Sequence, residues 1–280
     1  MPYEDYVGRT ETRRDIISPV LIRGLAATLD IAEQEVAPDG VLPPLWHWML
    51  FQEWVPAHGL GPDGHPRRGG FLPPVHDLPR RMWAGGRITF GRDLHAGEQV
   101  TRRTTITSVA EKTGGSGRLV FVALRHEIAS DDNPAEPAIV EEQDIVYRGT
   151  EGAAVKPAEP ASSPPPDAWK HTVQPDPVML FRYSALTANG HRIHYDMDYV
   201  REEEGYPGLI VHGPLQATLL GDLLRRNRQA RLARISFRGR RPAFHQNPLA
   251  LIGYADGAKI RLETRDPEGA VCMSAEAELA

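Results

Sequence analysis

Between Gly149 and Asp167 the chain reads GTEGAAVKPAEPASSPPPD. Proline stiffens such a stretch, and its alanines, serines and glycines offer little to bury. A segment of this kind does not run through a packed interior. It therefore divides the 280 residues into two units, 1–148 and 168–280, with 149–167 as the linker. Each unit has the size of an independently folding domain.

The two units carry the same kind of pattern. Before the linker, strand character runs over Gly86 to Leu94, Glu98 to Lys112, Arg118 to Ala129 and Ile139 to Arg148. The second and third of these flank Thr113-Gly114-Gly115-Ser116-Gly117, a natural hairpin connection. After the linker, strands are expected over Arg234 to Arg238, Leu249 to Tyr254, Lys259 to Thr264 and Val271 to Leu279. The units also echo each other residue by residue. Val75-His76-Asp77-Leu78 followed by Arg87-Ile88-Thr89-Phe90 parallels Val211-His212-Gly213-Pro214 followed by Arg234-Ile235-Ser236-Phe237, and duplication is the economical explanation. The copies differ between the paired segments: the second holds a long helical pattern, the first only Pro79 to Gly85. An earlier run, Pro19 to Ile31, predicts a helix for the first unit, with Ser18 as N-cap and Pro19 at the first helical position.

Several function classes drop out. A net charge of −5 gives no electrostatic reason to expect nucleic-acid binding. Cys272 is the only cysteine, which excludes an internal disulfide, a redox pair and a cysteine-based zinc site. No apolar run approaches the ~20 residues of a bilayer span, and the N-terminus lacks the apolar core of a signal peptide. A cytoplasmic protein is expected, with no membrane partner.

Chemistry concentrates between Leu180 and Leu224. Asn189-Gly190-His191-Arg192-Ile193-His194-Tyr195-Asp196 is a polar cluster just after Tyr183-Ser184-Ala185-Leu186. Histidine titrates near neutrality and so suits proton transfer. The plainer reading of these residues is local: a histidine satisfying a carbonyl, and Asp196 capping a short helix. A metal reading would take His191, His194 and Asp196, completed by His212 or one of Glu202, Glu203 and Glu204, but the spacing matches no zinc motif. Further on, Leu215, Leu219, Leu220, Leu223 and Leu224 form one apolar helical stripe behind His212-Gly213-Pro214. The start of that helix presents unpaired N–H groups, with Gly213 giving a ligand oxygen room to approach; an ordinary core helix is the alternative. Arginines at 225, 226, 228, 231, 234, 238, 240 and 241 are candidates for a phosphate, most of them being plain surface.

The stretches FRYSALTANGHRIHYD and GYPGLIVHGPLQATLL, with LPPLWHW and RRMWAGGRITF earlier, resemble the MaoC-like hydratases, and within them the hydroxyacyl-thioester dehydratase type 2 branch. The resemblance covers both units. It implies an α+β double hot-dog fold: two fused repeats, each a curved antiparallel sheet around a central helix, the first repeat degenerate and one active site between them. It implies a reversible, cofactor-free hydration of a small enoyl-CoA thioester, itaconyl-CoA or mesaconyl-C4-CoA being the branch's dicarboxylic examples. In the wider family the motif Gly-Asp-x-Asn-Pro-x-His supplies an aspartate and a histidine. Laid on this sequence, the histidine is His194, but the aspartate position holds Asn189, and an amide cannot act as a base. The implied division of labour is His194 as general acid/base, Asn189 holding the water, and the Gly213 amide on the enolate oxygen. Arg182 or Arg192 is expected to meet a second carboxylate, with Tyr183 and His212 as further substrate contacts. No metal is expected. The expected partner is the acyl-CoA substrate; self-association into a homo-oligomer is compatible with the chain. Two other readings remain open: dehydration of 3-hydroxyacyl thioesters in fatty-acid synthesis, and a catalytically silent acyl-thioester-binding module.

Overall fold

A computed structural model describes residues 3–36, 40–114, 117–149 and 161–280. Most of the expected linker, 150–160, and residues 115–116 of the expected hairpin turn lie outside the described residues. Ten strands form one antiparallel sheet. The first half contributes β1 (Thr10–Ile16), β2 (Arg80–Phe90), β3 (Gln99–Gly114), β4 (Gly117–Ser130) and β5 (Ile139–Arg148); the second contributes β6 (Trp169–Val173), β7 (Leu232–Gly239), β8 (Leu249–Asp256), β9 (Lys259–Arg265) and β10 (Val271–Leu279). Their order across the sheet is β1-β3-β4-β5-β2-β7-β10-β9-β8-β6.

The halves meet where β2 pairs with β7, from Gly85 opposite Arg238 to Thr89 opposite Arg234. These are the two segments that echo each other in sequence, and Ile88 sits directly opposite Ile235, both buried. β2 starts at Arg80, six residues before the expected Gly86, because β5 extends to Arg148 and offers it a partner. Two strands, β1 and β6, carry no sequence signal. Both are edge strands; β1 (TETRRDI) is charged, as exposed edges tend to be, and that erases the apolar alternation by which a strand is recognised.

Five helices accompany the sheet: α1 (Pro19–Thr28), α2 (Glu33–Val36), α3 (Pro177–Leu186), α4 (Met197–Glu202) and α5 (Gly213–Asn227). α5 is the axis of the second half and packs on β6, β8, β9 and β10. All five leucines of its predicted stripe are buried, each contributing about 1.5–3 kcal/mol. The helix is buried almost all round, because Leu45 of the first half covers its other side at Gly221. Its polar Gln216 is satisfied by Thr264 Oγ1 at 2.7 Å.

α1 is shorter than its expected 19–31 span. It ends at Thr28, and Asp30 turns the chain with a positive φ of 55°. Pro19 opens it as expected, but the Ser18 side chain makes no capping hydrogen bond. α1 packs against α3 of the second half, so the two halves are not equivalently filled. Among the described residues no helix is long and apolar enough to cross a membrane.

Candidate active site

His194 closes a one-turn 3-10 helix, Arg192–His194. Its Nδ1–H donates to the Ile210 carbonyl at 2.7 Å, which fixes the tautomer and leaves Nε2 unprotonated. The imidazole is buried. Burial lowers its pKa to about 4, against the opposing pull of the Ile210 carbonyl. It is therefore a neutral base at physiological pH.

The ring of His194 stacks on His212 with centroids 3.6 Å apart. His212 is fully buried, its Nε2 meets Ser184 Oγ at 2.8 Å, and burial holds its pKa well down. On the other side stand His191, 5.6 Å from His194 between centroids, and then His65, 4.2 Å from His191. Four imidazoles thus lie in file. His191 is lowered to about 2, first by burial and then by the neighbouring rings. His65 comes from the first half and is bonded to Asp63 at 3.1 Å. Burial pushes the Asp63 carboxyl up, but His65 outweighs it and holds the acid below the usual carboxylate range.

The loop carrying Asp63 and His65 is docked by backbone. Arg192 N donates to Asp63 O at 2.9 Å, and the Arg192 guanidinium to Pro62 O at 3.0 Å. Gly64 has φ +86°, and a Cβ there would fall 1.9 Å from Gly190 O, so only glycine fits this approach.

Asn189 follows the C-terminus of α3. Its side-chain oxygen accepts from His191 N at 3.0 Å. That spends the carbonyl on the local turn and leaves the Nδ2 amide as its free donor. Gly213 opens α5, and its N–H makes no hydrogen bond among the described residues. Its lack of a side chain has a further reason beyond ligand approach: a Cβ would stand 2.7 Å from Cε3 of Trp83, an indole from the first half.

His194, Asn189 and Gly213 line one cavity of about 2560 Å³, larger than the usual ~300–1,000 Å³ of small-molecule sites and able to admit a thioester with its long arm. The structure thus brings together the three residues expected to do chemistry. It does not bring in the four expected substrate contacts. Tyr183 and His212 are packed behind His194, out of reach of the cavity. Arg182 is exposed on α3. Arg192 is held by Asp196 at 2.8 Å and lies over the Tyr199 ring. Asp196 also caps α4, accepting from Tyr199 N at 3.0 Å, which removes it from the metal set read from the sequence. A different trio, Asp63, His65 and His191, has ligand atoms within 4.8 Å of one another. Of the arginine run, Arg238, Arg240 and Arg241 line the cavity. Arg225 and Arg226 pair with Asp222, and Arg228 lies over Trp169.

Sequence reasoning missed the first half's contribution: Asp63, His65, Trp83 and several cavity arginines, Arg68, Arg81 and Arg102 among them. The available signal was the turn Gly61-Pro62-Asp63-Gly64-His65, where a histidine and an acid stand in a tight loop.

Comparisons with known proteins bear on the fold and the family. Over 275 residues the chain is 45% identical to mesaconyl-C(4)-CoA hydratase of Chloroflexus aurantiacus, covering 98% of this chain and 96% of that one. Among solved structures, a MaoC-like dehydratase superposes with a TM-score of 0.74 at 14% identity, over 99% of both chains. A Mycobacterium tuberculosis protein described as having a double hot-dog fold gives 0.60 at 12% identity, over 97% of this chain and 95% of the other. The fold is therefore the α+β double hot-dog, its first repeat lacking a helix as long as α5. Residues 45–245 match the family described as hydroxyacyl-thioester dehydratase type 2, and with a matched region of that extent and a relative of that likeness the chain belongs to this family.

Proposed function

We propose that the protein is a hydro-lyase that adds water across the double bond of a short enoyl-CoA thioester. The observation that carries this reading is His194: a neutral imidazole with Nδ1 tied to Ile210 O and Nε2 free, in the same cavity as the unpaired Gly213 amide. His194 Nε2 takes a proton from water as the water oxygen bonds to the β carbon. The π pair moves to the α carbon and the thioester carbonyl, whose oxygen meets the Gly213 N–H at the start of α5. The Asn189 amide donates to the water oxygen and holds it in line. His194 then returns the proton to the α carbon. Atoms and charge balance without a cofactor, and reversal is dehydration.

The relative's name suggests the acyl group. Mesaconyl-C4-CoA, and its isomer itaconyl-CoA, both give citramalyl-CoA on hydration, and we take mesaconyl-C4-CoA as the substrate, met in the cytoplasm. Arg238, Arg240 and Arg241 at the cavity wall suit the nucleotide phosphates of CoA. The test is a panel of enoyl-CoA thioesters: loss of the conjugated chromophore with gain of one water in product mass is expected with mesaconyl-C4-CoA, faster than with crotonyl-CoA. No turnover of any member would refute the reading; a preference for uncharged chains would replace it with the 3-hydroxyacyl-thioester dehydratase of fatty-acid synthesis.

A further inference from the structure

The inner face of the first half's sheet carries a polar row where a core is expected. Thr104 on β3 stands opposite His126 on β4, and His126 opposite Glu141 on β5; all three are buried. The apolar residues on either side belong to two separate clusters, with Val100, Ile128 and Ile139 in one and Ile106, Leu124 and Ile145 in the other. The row splits the core of this half. Its members are bonded to each other: His126 Nδ1 to Thr104 Oγ1 at 2.9 Å, His126 Nε2 to Gln143 Oε1 at 3.1 Å, and Glu141 to His47 Nε2 at 3.1 Å and Trp48 Nε1 at 3.0 Å. Burying a carboxylate and two imidazoles in a sheet face is costly unless the arrangement serves something.

Both oxygens of Glu141 already accept a hydrogen bond, from His47 Nε2 and Trp48 Nε1. Beside the row, Arg102 Nε is a buried donor without a hydrogen-bond partner. Arg102 makes no ion pair among the described residues, its strand neighbour Arg13 having taken Glu11 and Glu53. Its guanidinium lies over the Phe51 ring at 4.9 Å. The next residue, Gln52, bonds the Leu186 carbonyl, three residues before Asn189. Trp48, the partner of Glu141, packs on Trp83, which covers Gly213. His47, Arg102, Thr104, His126, Glu141 and Gln143 line the same cavity as His194.

Resting on the hydratase reading above, we infer that Arg102, set in this polar row, receives the second carboxylate of the acyl group and makes the enzyme selective for short dicarboxylic thioesters. In mesaconyl-C4-CoA that carboxylate is attached to the carbon that water attacks. Pairing it with a guanidinium takes negative charge away from the reacting carbon as well as fixing the acyl group, so the effect reaches turnover and not only affinity.

The experiment compares kcat/KM for mesaconyl-C4-CoA and crotonyl-CoA in the wild type, Arg102→Gln, Arg102→Lys and Arg182→Gln, each checked for folding by thermal denaturation. Arg102→Gln is expected to lose about thirtyfold or more on mesaconyl-C4-CoA while crotonyl-CoA stays within about threefold, the pattern of a lost specific contact. Arg102→Lys keeps the charge without the fork and is expected to lose about fivefold on the dicarboxylic substrate alone; it decides the matter if the glutamine variant does not fold. Arg182→Gln is expected to leave the ratio unchanged. Equal losses on both substrates, or none, overturn the assignment while leaving the hydratase reading standing. If the wild type does not turn over mesaconyl-C4-CoA, inhibition of crotonyl-CoA hydration decides: succinyl-CoA binding no better than butyryl-CoA overturns the carboxylate site as well.

Discussion

The two halves of the sheet face the interior with opposite contents. In the second half β6, β8, β9 and β10 pack on α5, and their inner surface is largely apolar, with Leu251, Leu262 and Ala277 buried in the core. The first half has longer strands, β3 running 16 residues, yet its helix packs against α3 and its inner face carries histidines, an acid and an arginine beside a cavity. Where the second half is filled by α5, the first half instead contributes its polar inner face to the cavity wall. The proposed base, His194, belongs to the filled half, and the wall proposed to discriminate among acyl groups belongs to the open one.

Four measurements would break or sharpen this division. The largest effect is expected at the base. His194→Ala should remain folded and lose at least about a hundredfold in kcat, since general acid/base catalysis typically supplies ~100 to 10,000-fold; a folded variant with near-normal turnover would remove His194 from the chemistry. Next, Asn189→Ala should lower kcat about tenfold with little change in KM, because holding water affects the reaction more than binding. An effect confined to KM would make Asn189 a substrate contact.

Smaller, and shared by both halves, is an acid sensitivity. His65, His191, His194 and His212 all have folded pKa values below that of an unfolded histidine, burial being the leading cause in each. The unfolded chain therefore binds more protons, so their contribution is intact above the unfolded value of about 6.5 and is lost as pH falls toward about 4, where His194 itself titrates. Thermal denaturation should show Tm falling by several degrees between pH 7.5 and 5.5, and His191→Asn should flatten that slope. A Tm independent of pH in this window contradicts the buried file. The smallest expected effect is none at all. Exhaustive chelation should leave hydration unchanged, and activity that vanished with chelator and returned with a stoichiometric metal would turn Asp63, His65 and His191 into ligands.

How much of this the sequence discloses depends on whether a residue's neighbours are local. α5 is legible because its leucines repeat at helical spacing, and His194, Asn189 and Gly213 because they sit in one stretch with a recognisable order. Even the asymmetry of the halves is visible, since only Pro79 to Gly85 stands where the second half has a helical run. The polar row is not legible. Within Ile139 to Arg148 the inward Glu141 and Gln143 alternate with outward Glu142 and Asp144, so both faces of β5 read as polar and alternation cannot choose between them. Arg182 and Arg192 stand out for a related reason: they are near the motif in sequence, yet neither lines the cavity, whose arginines include Arg68, Arg81 and Arg102 of the first half and Arg238, Arg240 and Arg241 of the second.

The opposition of Ile88 and Ile235 across the seam carries one more implication. Matching segments that pair antiparallel about a common residue define an approximate twofold axis, the arrangement by which two identical chains associate through one self-complementary edge. In a true pair of identical chains, any substitution appears on both sides of the axis, so a pocket cannot be opened in one copy without emptying the other. Covalent tethering lifts that constraint. Once both copies lie on one chain they can drift separately, one keeping its core and its base, the other giving up its filling, and a symmetric pair becomes a single asymmetric vessel.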